Sequence, residues 1–323
     1  MRYHLILAVL CLLALPLAAC SGQERLYTIG ALQMISHPSP DAVRDGFVQA
    51  LAEAGYKEGE NVRFDFQNAH GEMSNTQLIA KKFVADEVDM IFAIGTPPLQ
   101  AAVQAAPETM PVVFAYASDP WGAGAGASPT EHLPNVVGVF DTSPLGAQVA
   151  LIKEVLPDAR RVGLQYNAGE PNSRYEAGLF KEVAAQEGLD VVEQTVASPA
   201  EVLQGAQVLA SQGIHAFAMV GDYATISAFE SMVKVGEEQS IPVFSIDPSD
   251  IERGALAAIG WGYFEEGYDA GKLAIRVMEG ESPAGIPFQL PEKKLMYINL
   301  QAAAAYGVRV PEAVVARADK VIR

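Results

Sequence analysis

Arg161-Val162-Gly163-Leu164-Gln165, followed by Tyr166-Asn167-Ala168-Gly169-Glu170-Pro171-Asn172-Ser173, reads as a short strand that runs into a loop and then a helix. The apolar run is of strand length, and Asn172 and Ser173 are good helix N-cap residues. The helix continues from Arg174 to about Glu187. Its first turn leaves backbone N–H groups without partners, at the positive end of the helix dipole. Such a turn suits a small anion such as a carboxylate. It also suits an ordinary cap, so the meaning of the stretch depends on what the rest of the chain brings to it.

Working outward, the same unit repeats. Tyr27 to Ile35, Asn61 to Asn68, Val88 to Ile94, Pro111 to Tyr116 and Val136 to Phe140 read as strands, with helices between most of them. After Ser143 to Leu156, a helix, a second series begins near Val162. It continues through strands at Asp190 to Val196, Ala216 to Val220 and Pro242 to Ile246. Strands then follow near Ala255 to Ile259 and Leu295 to Asn299, around a helix at Phe264 to Glu279. Trp121 to Pro134, rich in Gly, Ala and Pro, reads as a loop. Alternation of this kind predicts an α/β protein of two Rossmann-like lobes, each a parallel sheet covered on both faces.

Polar residues gather at the predicted carboxyl ends of the strands, where open parallel sheets bind ligands. They are Ser36, His37, Thr96, Ser118, Asp119, Asn167, Asn172, Ser173, Asp222 and Asp247. They come from both series, so sheets that face each other would bring them to one cleft. Thr96, with Pro97 at the first helical position, forms a second helix start. Asp222 is placed to pair with an ammonium group. Tyr116, Trp121, Tyr166, Tyr223 and Trp261 flank the same loops as a candidate aromatic wall.

Composition bounds the rest. The chain has 323 residues and a net charge of −17, which argues against nucleic-acid binding. Arg2, the apolar run Leu5 to Leu15 and Leu17-Ala18-Ala19-Cys20 describe a secretory signal peptide over 1–19 that ends in a bacterial lipobox. On this reading Cys20 carries lipid, 20–25 form a linker, and the protein is exported to the periplasm or cell surface on a membrane anchor. The only other cysteine, Cys11, leaves with the signal, so no thiol remains for a disulfide, a nucleophile or zinc. The histidines (His4, His37, His70, His132 and His215) show no metal-ligand spacing. There is no G-x-S-x-G elbow and no phosphate-binding G-x-x-x-x-G-K-[ST] loop, so neither an enzyme nor a cofactor is expected.

Further residues fall into an ordered set: Gly46-Phe47, Leu51-Ala52-Glu53-Ala54-Gly55-Tyr56, Ala93-Ile94-Gly95-Thr96-Pro97 and Ser118-Asp119-Pro120. The set continues with Tyr166-Asn167 through Asn172-Ser173, Ile241-Pro242-Val243-Phe244 and Tyr306-Gly307-Val308. In these the chain resembles the tryptophan- and tyrosine-type substrate-binding proteins of ABC transporters, from about Leu26 to the C-terminus. The resemblance implies a type I periplasmic-binding-protein fold with a three-crossing hinge. The expected lobes are 26–141 plus 248–288 and 142–247 plus 289–323. It further implies a monomer that clamps a small solute, an aromatic or apolar amino acid, and delivers it to an ABC permease. A sensor of the same fold that signals to a membrane receptor is the first alternative, and an α/β enzyme the second. Thr96, Asn172 and Ser173 match the family's carboxylate binders, Asp222 its ammonium partner and Asp119 its first cleft loop. Two departures stand out: Gly221-Asp222-Tyr223-Ala224 replaces the usual Asp-Asn, and Asn135-Val136-Val137-Gly138 the usual Asn-Val-Thr-Gly.

Overall fold

The computed structural model describes residues 25–323. The expected signal peptide and Cys20 lie outside the described residues. The first sheet contains β1 (Tyr27–Gln33), β2 (Val62–Asn68), β3 (Met90–Ile94), β4 (Val112–Ala115) and β7 (Val136–Gly138). Its order is β2-β1-β3-β4-β7, and every pairing is parallel. The central run Met90-Ile91-Phe92-Ala93-Ile94 is buried at every residue because helices cover both faces. On one face lie α1 (Pro38–Glu53) and, from much later in the chain, α9 (Tyr263–Met278); Phe47 of α1 stacks on Phe92. On the other lie α2 (Met73–Ala85) and α3 (Thr96–Ala105), anchored by Phe83 and Leu99. The expected loop after β4 carries a small ladder of β5 (Gly126–Ser128) and β6 (Glu131–His132).

The second sheet has the order β14-β13-β12-β11-β10-β8-β9. Its strands are β8 (Arg161–Tyr166), β9 (Asp190–Thr195), β10 (Ala216–Ala218), β11 (Val243–Ser245), β12 (Ala257–Trp261), β13 (Lys294–Asn299) and β14 (Lys320–Ile322). Around it pack α4 (Leu145–Val155), α5 (Pro171–Gln186), α6 (Val202–Ser211), α7 (Tyr223–Ser227), α8 (Phe229–Gln239), α10 (Leu300–Ala305) and α11 (Glu312–Val315). The expectation of purely parallel sheets needs amendment here. β13 runs antiparallel to β12, and β14 follows β13.

The chain passes between the sheets in three places, and these passages bond to one another. After β7, the Phe140 N–H donates to Gln289 O at 2.9 Å, and the Gln289 N–H returns to Gly138 O at 3.0 Å. After β12, the Gly262 N–H donates to Lys293 O at 2.9 Å. The Trp261 indole N–H reaches the carbonyls of Asp141 and Thr142, each at 3.1 Å. One expected boundary moves. Residues 248–261 were assigned to the first lobe, but β12 pairs parallel with β11, Phe244 opposite Ala257 and Ser245 opposite Ala258. Ala255 to Ala258 are buried in the second lobe's core, and the chain leaves that lobe only at Gly262.

Candidate functional site

The strand ends of the two sheets face each other across a cleft. Between them is about 350 Å³ of atom-free space, counting the part continuous with solvent. From the first lobe come Thr96 after β3, Tyr116 and Ser118 after β4, and Tyr263 at the start of α9. The second lobe supplies Asn172 and Glu176 from α5, Gly221, Asp222, Tyr223 and Ile226 after β10, and Ile246 after β11. Asp141 and Ser143 belong to the first hinge passage. Backbone strain marks one of these positions: Tyr116 holds a left-handed φ of 58° that side chains rarely adopt, whereas Gly95, just before Thr96, takes a φ of 111° that glycine permits.

Of the eleven expected site residues, Thr96, Ser118, Asn172, Asp222 and Tyr223 line the cavity. The others serve the fold around it. Ser36 is exposed and accepts from the Asn68 amide. Asp119 receives the Gly122 N–H at 2.8 Å and closes a turn. The Tyr166 hydroxyl donates to Glu193 at 2.9 Å, and Asn167 Oδ1 accepts the Gly169 N–H at 2.8 Å. Ser173 is fully buried and donates to Asp222 at 3.0 Å. Asp247 accepts from Ser39 in the first lobe at 2.5 Å, so it ties the lobes together away from the cavity wall. Trp121 packs on Phe140 and Phe288, and Trp261 bonds the hinge.

The cavity's polar groups differ in kind from those expected. Asn172 spends its NH₂ group on Gly221 O at 2.7 Å, which fixes the amide, and its Oδ1 has no partner. It therefore presents an acceptor rather than a donor. Glu176 accepts the Ser143 N–H at 2.8 Å and the Gly221 N–H at 2.5 Å. Asp141 is 7 % exposed and its Oδ1 has no partner. Behind Tyr116, Glu266 takes the Tyr116 N–H at 2.5 Å on one oxygen and leaves the other unpartnered. Burial pushes the carboxyls of Asp141 and Glu266 well above the usual range, and burial raises Glu176 and Asp222 as well. Beside them, burial takes Glu170 up to about 8. No Lys, Arg or His lines the cavity among the described residues.

Asp141, Glu176 and Tyr263 were absent from the expected site, while Tyr116, expected in the aromatic wall, does line the cavity. Glu176 was the most legible of them, since it lies one helical turn beyond Asn172 on the same face of α5. Asp141 lies in the hinge passage from β7 to α4, directly after the expected strand Val136 to Phe140, and the strand-end reading missed it there.

The lobes also meet outside the cavity. Arg253 donates to His37 Nε2 at 3.0 Å, and His37 Nδ1 lies 3.5 Å from the Ser39 N–H that it caps and 3.9 Å from Asp247. Burial and the neighbouring guanidinium lower the His37 pKa. Tyr223, carried by the second lobe, packs into the first lobe's apolar cluster with Ala93, Leu99 and Phe114.

Residues 28–322 match the family described as ABC transporter substrate binding protein. The chain is 36% identical over 279 residues to the tyrosine-binding protein of Clostridioides difficile (strain R20291), covering 86% of this chain and 80% of that one. It superposes with a TM-score of 0.87, at 32% identity, on an ABC domain in complex with L-Trp from Streptococcus pneumonia, covering 92% of this chain and all of that one. Against a ligand-free, open substrate-binding protein with adhesive properties from Clostridium difficile the TM-score is 0.70, at 34% identity, over 92% and 99% of the two chains. Identity is similar in the two cases. The lobes here are therefore set more nearly as in the L-Trp complex than as in the open protein.

Proposed function

The chain belongs to the ABC transporter substrate-binding protein family, and on that premise we propose that it captures an aromatic amino acid between its lobes and hands it to an ABC permease. One observation carries this reading. A cavity built from both lobes combines unpartnered acceptors, a group of buried carboxyls and the rings of Tyr116, Tyr223 and Tyr263. Acceptors without a basic neighbour suit an ammonium group. Tyrosine faces suit an aromatic ring, and a cation beside them gains further. The hydroxyl of Thr96 is one of the donors that line the cavity and could meet a carboxylate. The ligands named for the two relatives, tyrosine and L-Trp, fit the same chemistry.

Closure supplies the mechanism. Each lobe brings part of the wall, so a ligand that touches both favours the closed arrangement over the open one. Closing also excludes water and strengthens the charge-assisted contacts. The test is a thermal-shift screen of the mature domain against the amino acids. A ligand at 100 times its Kd stabilises the native state by about 2.7 kcal/mol, so L-tyrosine or L-tryptophan should raise the melting temperature by several degrees. A screen in which only sugars or inorganic ions raise it would overturn the reading.

We read Leu17-Ala18-Ala19-Cys20 as a lipobox whose lipid on Cys20 would hold the protein to the membrane. No helix among the described residues is long and apolar enough to cross a bilayer. Cys20→Ser is expected to move the protein from the membrane fraction to the soluble one. Continued sedimentation with membranes would remove the lipid anchor.

A further inference from the structure

We propose that Asp141, at the hinge, seats the ligand's ammonium group, and that Asp222 does not. The proposal rests on the cavity being the ligand site, and it assigns to that site a residue that was not among those expected there.

Asp222 has little left to offer a ligand. Its Oδ1 caps α7 by accepting the Thr225 N–H at 2.5 Å. Its Oδ2 accepts from the Asn167 N–H and from the Ser173 hydroxyl, the latter at 3.0 Å. Three of the roughly four lone-pair directions of a carboxylate are thus filled from within the fold. Glu176 is held in the same way by Ser143 and Gly221. Asp141 differs. Its Oδ1 is buried, borders the cavity and accepts nothing. Asn172 Oδ1, fixed as an acceptor, borders the same space. A buried acceptor without a partner costs about 1–3 kcal/mol, more when charged. A primary ammonium, with three N–H donors and a positive charge, removes that cost at both atoms.

The position of Asp141 gives the contact a consequence. The carbonyls of Asp141 and Thr142 receive the Trp261 indole N–H, which joins the first and second hinge passages. An amine on Asp141 therefore acts on the segment whose backbone turns when the lobes move.

Protons should move as well. Asp141 faces Glu176 on α5, Glu266 on α9 and Asp247 after β11, with the hydroxyls of Tyr116, Tyr223 and Tyr263 nearby. Burial raises its carboxyl well above the usual range, and the neighbouring Glu176 adds to this. A bound cation favours the ionised form, so binding expels a proton. Affinity for an amine then rises with pH until Asp141 ionises unaided and falls as the pH drops, by at most about tenfold per pH unit for one proton.

The experiment compares three probe classes on the mature domain: L-tyrosine and L-tryptophan, the amines tyramine and tryptamine, and the acids 3-(4-hydroxyphenyl)propionate and indole-3-propionate. Asp141→Asn should weaken amine-bearing probes by about 100-fold or more and the acids by less than about threefold. It should leave the melting temperature close to wild type, because the Asp141 Oδ1 has no partner in the fold to lose. Asp222→Asn should lower the melting temperature but keep the preference for amines. Calorimetry of the wild type in two buffers of different ionisation heat should show close to one proton released per amine bound, and none for Asp141→Asn. The assignment fails if Asp141→Asn binds amines within about threefold of wild type, if no proton leaves the wild type, or if no amine-bearing probe binds. If the free amines bind through Asp141 and the amino acids do not, the ammonium seat stands and the amino-acid reading falls.

Discussion

Gly267→Val is expected to destabilise the folded protein by about 4 kcal/mol or more, at the upper end of what single substitutions do. The reason lies where α1 crosses α9. A Cβ on Gly267 would lie 1.8 Å from Val43 O, and one on Gly46 would lie 2.0 Å from Phe264 O. Both obstacles are backbone atoms, which no rotamer change can move. The helices touch backbone to backbone, and that is how α9, arriving from the far end of the chain, comes to cover the first sheet. Glycine inside a helix costs about 1 kcal/mol relative to alanine, so close packing must offset this cost at both positions. Chemical denaturation measures the effect. Gly178→Ala on α5 is the control: nothing lies within 4 Å of its would-be Cβ, and it should be neutral or stabilising. A Gly267→Val protein within about 1 kcal/mol of wild type would mean that the helices separate at little cost. The crossing also reaches the cavity, because Tyr263 and Glu266 stand on the first turns of α9, next to the contact.

Most of the elements were legible because their signals are local. Continuous apolar runs such as Met90 to Ile94 and breakers such as Gly95-Thr96-Pro97 act within a few residues. Lobe assignment is not local. Ala257 to Trp261 reads as a strand in either lobe, and only its pairing with β11 decides. The short β14 lies at a sheet edge, where three residues carry too little pattern to be read.

The cavity divides along the same line. Thr96, Asn172 and Tyr223 were visible as strand-end residues, and they do line it. Which face of Asn172 looks inward was not visible, because that depends on Gly221 O, 49 residues away. Ser173 and Asp222 have the right chemistry for a ligand, yet they satisfy each other. In a folded chain a good N-cap residue is often used as a cap, and helix starts that read alike in sequence differ in what they leave free. At α3, Pro97 and Pro98 remove two of the N–H groups that an anion would need, so that turn offers chiefly Thr96.

Gly95→Ala is expected to weaken ligand binding by about 30-fold, the middle of the 1–3 kcal/mol range for overpacking. Gly95 ends β3 in the first lobe, and its would-be Cβ lies 2.0 Å from the hydroxyl of Tyr223, which the second lobe carries. Two costs arise, and they separate cleanly. At φ 111° an alanine is strained whether the lobes are open or closed, so this part lowers the melting temperature without touching affinity. The collision with Tyr223 exists only when the lobes are together, so it falls on the closed state alone. A ligand that requires closure must overcome it. The double variant Gly95→Ala/Tyr223→Phe removes the hydroxyl and should recover at least about tenfold in affinity, while its melting temperature stays low because the backbone strain remains. Calorimetric titration of the single and double variants with the ligand found by the screen decides the point. If the single variant binds like wild type, Tyr223 swings aside during closure and does not gauge the approach of the lobes. If the double variant binds no better than the single, the loss comes from the altered turn before Thr96, and that helix start matters more to the ligand than the contact across the cleft.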